Sequence, residues 1–133
     1  MQIRRATTED ATSISELNVT VQRLPADAHP YLFKPPSPET FSSEAVSGLL
    51  DLPDHIIYLA TVDDDPAGYI YLQIVHRPES LIRYALDLVY IHHISVNEAY
   101  QGRGVGSALI DATKSLAREE GISHIELDVW SFN

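Results

Sequence analysis

The sequence predicts a mixed α/β fold, with helices packed on a single mixed sheet, in the order β-α-α-β-β-β-α-β. Three observations predict it. Five short β-prone runs are bounded by turn residues, and three longer segments repeat apolar residues at helical spacing. Between the fourth run and the last helix stands a glycine-rich turn, Gln101-Gly102-Arg103-Gly104-Val105-Gly106. At 133 residues and 44% hydrophobic content, the chain suits one domain covering residues 1–133.

Met1–Ala6 reads as a first strand. Thr7 followed by Asp10 resembles a capping box with Asp in place of Glu or Gln, so a helix follows, with Ile14, Leu17 and Val21 as its buried stripe and Pro25 as its limit. Leu24–Pro38 carries prolines at 25, 30, 35, 36 and 38 and is expected to form a semi-rigid loop. The apolar trio Tyr31, Leu32 and Phe33 within it serves either as an anchor on the core or as a pocket lining. Ser37 as N-cap before Pro38 predicts a second helix with Phe41, Ala45 and Leu49 on its inner face, closed by Pro53.

His55–Val62 and Gly68–Val75 read as a hairpin joined by a turn over Asp63-Asp64-Asp65-Pro66-Ala67. Three adjacent carboxylates without the other ligands of a calcium loop solubilise the turn and make no metal site. His76–Ala85 is a polar connection, and Leu86–Val96 is the fourth strand. Val105, Leu109, Ala112 and Leu116 form the stripe of a helix over roughly 104–120, with Gly121 past its end. Ile125, Leu127 and Val129 alternate with Glu126, Asp128 and Trp130 as a fifth strand.

The glycine turn is the most informative stretch. Glycine permits close backbone approach, and the first turn of a helix leaves N–H groups unpaired with partial positive charge, which together suit a phosphate. The P-loop is ruled out, because no Gly-Lys-Ser/Thr ending follows Gly106. The dinucleotide fingerprint fits poorly, since the glycines fall as G-x-G-x-G late in the chain.

These residues resemble the GNAT family of N-acetyltransferases. The family's central motif is Gln or Arg, two residues, Gly, one residue, then Gly or Ala, and Gln101, Gly104 and Gly106 match each fixed position. Ile91–Val96, Asn97–Tyr100 and Ser107–Ile110 look like the family's fourth strand, the turn after it and its third helix, and the element order extends the resemblance over essentially the whole chain. The resemblance implies acetyl transfer from acetyl-CoA to a primary amine of a small molecule or peptide, with no metal. It assigns Ile94, Ser95 and Val96 to the pantetheine arm, and Gln101, Gly102, Arg103, Gly104, Val105 and Gly106, with Ser107, to the pyrophosphate. Asn133 matches an asparagine near the arm.

An alkylamine is mostly protonated at pH 7, so the reaction needs a base. The resemblance implies a fourth-strand Glu, or sometimes a His, in this role, at positions that map to Tyr90 and His92, and neither is an acid. His92 is the candidate base, with Tyr90 and His93 as alternatives. Strict alternation puts Tyr90, His92 and Ile94 on one face and His93 on the other, so that the two histidines cannot chelate one metal. Relatives continue past the fifth strand with a helix, whose tyrosine protonates the thiolate, and usually two more strands. The sequence here ends at Asn133, which leaves a truncated form or a homodimer covering the last strand as expectations, and assigns no general acid. A non-catalytic CoA-binding sensor or interaction module is the alternative.

Composition narrows the classes further. Cysteine is absent, which excludes thiolate nucleophiles and disulfides. The net charge of −10 opposes nucleic-acid binding. The stretch between Lys34 and Arg77 holds acids and no Lys or Arg, which makes either a solvated acidic face or a guide for a cationic amine acceptor. With no long apolar stretch and no basic-then-apolar leader, a cytoplasmic protein without membrane contact is expected.

Overall fold

The computed structural model describes residues 1–18 and 41–127. Strands β1 (Gln2–Arg5), β2 (His55–Val62), β3 (Asp65–Arg77), β4 (Leu86–Val96) and β5 (Ile125–Leu127) form one sheet in sequence order. The first three pairings are antiparallel, and β4 pairs β5 in parallel. The helices are α1 (residues 11–18), α2 (Ser43–Leu50) and α3 (Val105–Glu119), so the element order follows the sequence pattern.

α1 is entered through a 3-10 turn, Thr8–Asp10, where the Asp10 carboxylate accepts the Thr7 N–H at 2.8 Å. Arg4 donates to both oxygens of the same carboxylate at 2.8 Å, which ties β1 to the helix start and holds the Asp10 carboxyl below its ordinary range. Ile14 and Leu17 are buried as expected, while Val21, Pro25 and the proline-rich stretch with Tyr31, Leu32 and Phe33 lie outside the described residues.

α2 begins later than the sequence pattern predicts. Its N-cap is Ser42, whose hydroxyl accepts the Ala45 N–H at 3.1 Å, and Phe41 stands before the helix rather than in it. The cause is local: Ser42 offers a capping oxygen immediately before the apolar positions Val46, Leu49 and Leu50, all of which pack inward. Ser37, Pro38 and Glu39 lie outside the described residues.

The β2–β3 connection is also tighter than expected. Val62 pairs with Asp65, leaving only Asp63 and Asp64 in the turn, at φ 51° and 68°. Two consecutive left-handed residues make a two-residue hairpin turn whose twist matches the strands, and aspartate tolerates that conformation. The acidic residues are therefore divided, because Asp51 and Asp54 lie where β2 begins and Asp63–Asp65 where it ends.

The core has two layers. On one face α3 packs Val105, Leu109, Leu116 and Ala117 against Ile70, Leu72, Val89 and Ile91. Thr113, not Ala112, fills the middle of the stripe, and its hydroxyl is satisfied by the Leu109 carbonyl at 3.0 Å. α3 ends in a Schellman motif: Ile122 N–H reaches the Ala117 carbonyl at 2.7 Å, and Gly121 N–H reaches that of Arg118 at 3.1 Å. On the other face α1 and α2 cover Ile57, Leu59, Tyr69 and Tyr71. Among the described residues no helix is long and apolar enough to cross a membrane.

Candidate active site

The site is built around an irregularity in β4. Tyr71 pairs with His93 and Leu72 with Ile91, so His92 has no partner in the β3–β4 ladder and forms a bulge. The bulge reverses the expected alternation. Val89, Ile91, Ile94 and Val96 pack on the α3 side, whereas the rings of His92 and His93 both lie against Tyr71, on the face covered by α1 and α2. Tyr90 joins them there, 4.8 Å from the His92 ring. The placement of Ile94 beside His92, with His93 opposite, is thus corrected, and so is the premise that the two histidines point apart.

Around the bulge lies a network of polar rings. His55, Gln73 and Tyr90 are register partners across β2, β3 and β4, and His55 Nδ1 meets the Tyr71 hydroxyl at 2.6 Å. Tyr71 stacks on His92 at 4.4 Å. The Tyr69 hydroxyl receives the Asn18 amide N–H at 3.1 Å, which directs its own hydrogen to His93 Nδ1 at 2.7 Å. His93 is thereby held neutral, and burial pushes it down to about 4. Phe41 closes over this pair, edge-on to His93 at 5.1 Å.

His92 differs from His93 in being exposed. Its Nε2 lies 2.8 Å from Gln73 Oε1, an oxygen that only accepts, so Nε2 carries the hydrogen and Nδ1 keeps its lone pair. Partial burial, then the neighbouring His55, hold the ring below the ordinary histidine range. A neutral imidazole with a lone pair can take a proton near neutral pH. The sequence does not single out His55, Tyr71 or Gln73. The one signal for Gln73 is an amide inside an otherwise apolar run, and for the others only long-range pairing brings the rings together.

The glycine turn lies beyond the end of β4. Gly102 and Gly104 adopt φ 80° and 81°, a left-handed conformation that other residues enter at a cost. Gly104 is the N-cap of α3 and has no side chain to cap it, no acid occupies the first turn, and the first helical bond runs from Ala108 N–H to the Gly104 carbonyl at 3.0 Å. Among the described residues, the N–H groups of Val105, Gly106 and Ser107 are left open at a helix start. Gln101, Arg103 and Ser107 are exposed beside them, with the Arg103 guanidinium 5.6 Å from the Tyr100 ring centre. This donor set fits a diphosphate in charge and in steric access.

Between the two places runs one edge of β4. Asn97 N–H bonds the Ala67 carbonyl of β3, so antiparallel alternation turns the backbone of Ser95 toward β3 and that of Ile94 and Val96 toward the opposite edge. On that same edge Val89 N–H meets the His124 carbonyl, and the described pairing with β5 runs from Val89 to Ile91. Ser95 does not share the edge, and its buried hydroxyl donates to the Leu17 carbonyl at 2.7 Å. Asn133 lies outside the described residues. No three His, Cys, Asp or Glu side chains among the described residues are placed to hold a metal ion.

Residues 18–133 match the acetyltransferase (GNAT) family. The chain belongs to that family. Solved structures share the fold of this GNAT chain at low identity. A mutant of the BH1408 protein from Bacillus halodurans superposes with TM-score 0.94 at 22% identity, covering 100% of this chain and 85% of that one. An acetyltransferase from Vibrio fischeri gives 0.75 at 20%, covering 98% and 97%. Ribosomal-protein-alanine N-acetyltransferase from Brucella melitensis gives 0.69 at 23%, covering 99% and 83%. Among curated proteins, none matches this GNAT chain in sequence.

Proposed function

We propose that this GNAT protein transfers an acetyl group from acetyl-CoA to a primary amine, with His92 as the base. The observation that carries the reading is the open amino end of α3, reached along the same β4 edge that leads back to the His92 bulge. The N–H groups of Val105, Gly106 and Ser107, with Arg103, would hold the pyrophosphate. The outward backbone groups of Ile94 and Val96 would pair with the pantetheine amides. His92 and Val96 are four residues apart, about 13 Å along a strand.

Acetyl-CoA supplies an activated thioester. As the amine nitrogen bonds to the carbonyl carbon and the carbon–sulfur bond breaks, His92 Nδ1 takes the amine proton. The sulfur leaves as a thiolate and is protonated from solvent. Related structures include an aminoglycoside acetyltransferase and the ribosomal-protein-alanine enzyme, whose names cover small-molecule and protein acceptors, which supports reading the acceptor here as the amine of a small molecule or peptide.

Calorimetric titration with acetyl-CoA, paired with thiol release over an amine panel, tests the reading. Saturable heat and thiol release are expected, and His92→Ala lowers kcat/KM by about 10²- to 10⁴-fold with cofactor affinity unchanged. Heat without release from any amine favours a binding module, and a folded protein that gives no heat overturns the reading.

A further inference from the structure

We propose that Gln73 is the positioning residue of this site: its amide oxygen fixes His92 as the Nε2–H tautomer and so presents Nδ1 to the acceptor amine. The inference rests on the reading of His92 as the base. Lacking a ladder partner, His92 owes its orientation to its neighbours. The Tyr71 ring lies under it at 4.4 Å and 16°, the Tyr90 ring stands edge-on at 4.8 Å and 78°, and the Gln73 oxygen meets Nε2 at 2.8 Å. The two rings fix the plane of the imidazole, and the amide decides which nitrogen carries hydrogen.

An amide suits this role better than a carboxylate. Among the described residues, the titratable groups facing His92 are His55 from β2, Tyr71 from β3, and Tyr90 and His93 from β4. None is an acid, so no carboxylate among them stabilises the imidazolium. A carboxylate at position 73 would do so and would keep the ring protonated further up the pH scale. The neutral amide orients without charging, which leaves the lone pair available near pH 7.

The test compares Gln73→Glu and Gln73→Leu with the unaltered protein, each checked for fold by its melting temperature. Imidazole ¹⁵N shifts are expected to show His92 as Nε2–H in the unaltered protein and as a tautomer mixture in Gln73→Leu. Gln73→Glu raises the His92 titration midpoint, and with it the acid limb of kcat/KM, by about one pH unit, while activity above that limb is kept. Gln73→Leu lowers kcat/KM by roughly 10- to 100-fold without altering affinity for CoA. An Nδ1–H tautomer in the unaltered protein, or an unmoved midpoint in Gln73→Glu, overturns the role of Gln73 alone. Absence of thiol release from the unaltered protein overturns the acetyl-transfer reading, and the NMR result stands apart from it.

Discussion

Against one face of the sheet, α3 sets Val105, Leu109 and Leu116 on Ile70, Leu72, Val89 and Ile91; against the other, α1 and α2 meet tyrosines and histidines joined hydroxyl to imidazole. The helix ends differ in the same sense. α2 closes its own amino end with the Ser42 hydroxyl, and Glu44 occupies its first turn, whereas α3 begins at a glycine with neither. The apolar face thus belongs to the helix with the open end, and the polar face to the helix with the closed one. The contrast is one of added duty: burial anchors α3 while its end stays open, and the network opposite is also packed, with Tyr69 and Tyr71 in the second core layer, but its hydroxyls and imidazoles set protonation states as well.

Four measurements would break or sharpen this contrast. The largest effect on stability belongs to the apolar face, where Leu109→Ala removes a fully buried side chain and is expected to cost about 3–4 kcal/mol in denaturant unfolding. On the polar face the counterpart is a dependence on pH. His93 lies at about 4 in the folded chain against 6.5 ordinarily, so the unfolded chain takes up the proton first. Stability is complete above pH 6.5 and falls as pH drops toward 4, by about 3 kcal/mol at most, and His93→Gln flattens that slope in pH-resolved melts.

The helix ends give smaller effects. Gly104→Asp adds a side chain at φ 81° and a carboxylate at the open end, and is expected to weaken acetyl-CoA binding about tenfold or more in calorimetry. Ser42→Ala costs about 1 kcal/mol of stability and leaves that binding unchanged. Equal effects of these two variants on binding would erase the distinction between the ends.

Much of this was readable in the sequence, for identifiable reasons. Leu86–Val96 and His55–Val62 stand where their β-prone runs end, and the glycine turn sits before α3 because its spacing is local. What escaped was non-local or a matter of phase. The start of α2 turned on which of several serines caps, and the hairpin turn shrank because aspartates took the left-handed conformation that the pattern reserves for glycine. Strict alternation cannot register a bulge, so it placed His93 away from His92 and Ile94 with it. The hydrogen bond from His92 to the Gln73 oxygen joins residues nineteen apart in the chain, and no periodicity encodes it.

His92 is one residue more than the β3–β4 register requires. Omit it, and Ile91 is followed by His93, then Ile94, Ser95 and Val96, which alternate between the two faces without interruption. Excising this position should therefore regularise the sheet where most excisions would wreck it. A chain shortened by that single histidine is expected to keep its five-stranded sheet while losing the base proposed above, together with its contacts to Tyr71, Tyr90 and Gln73.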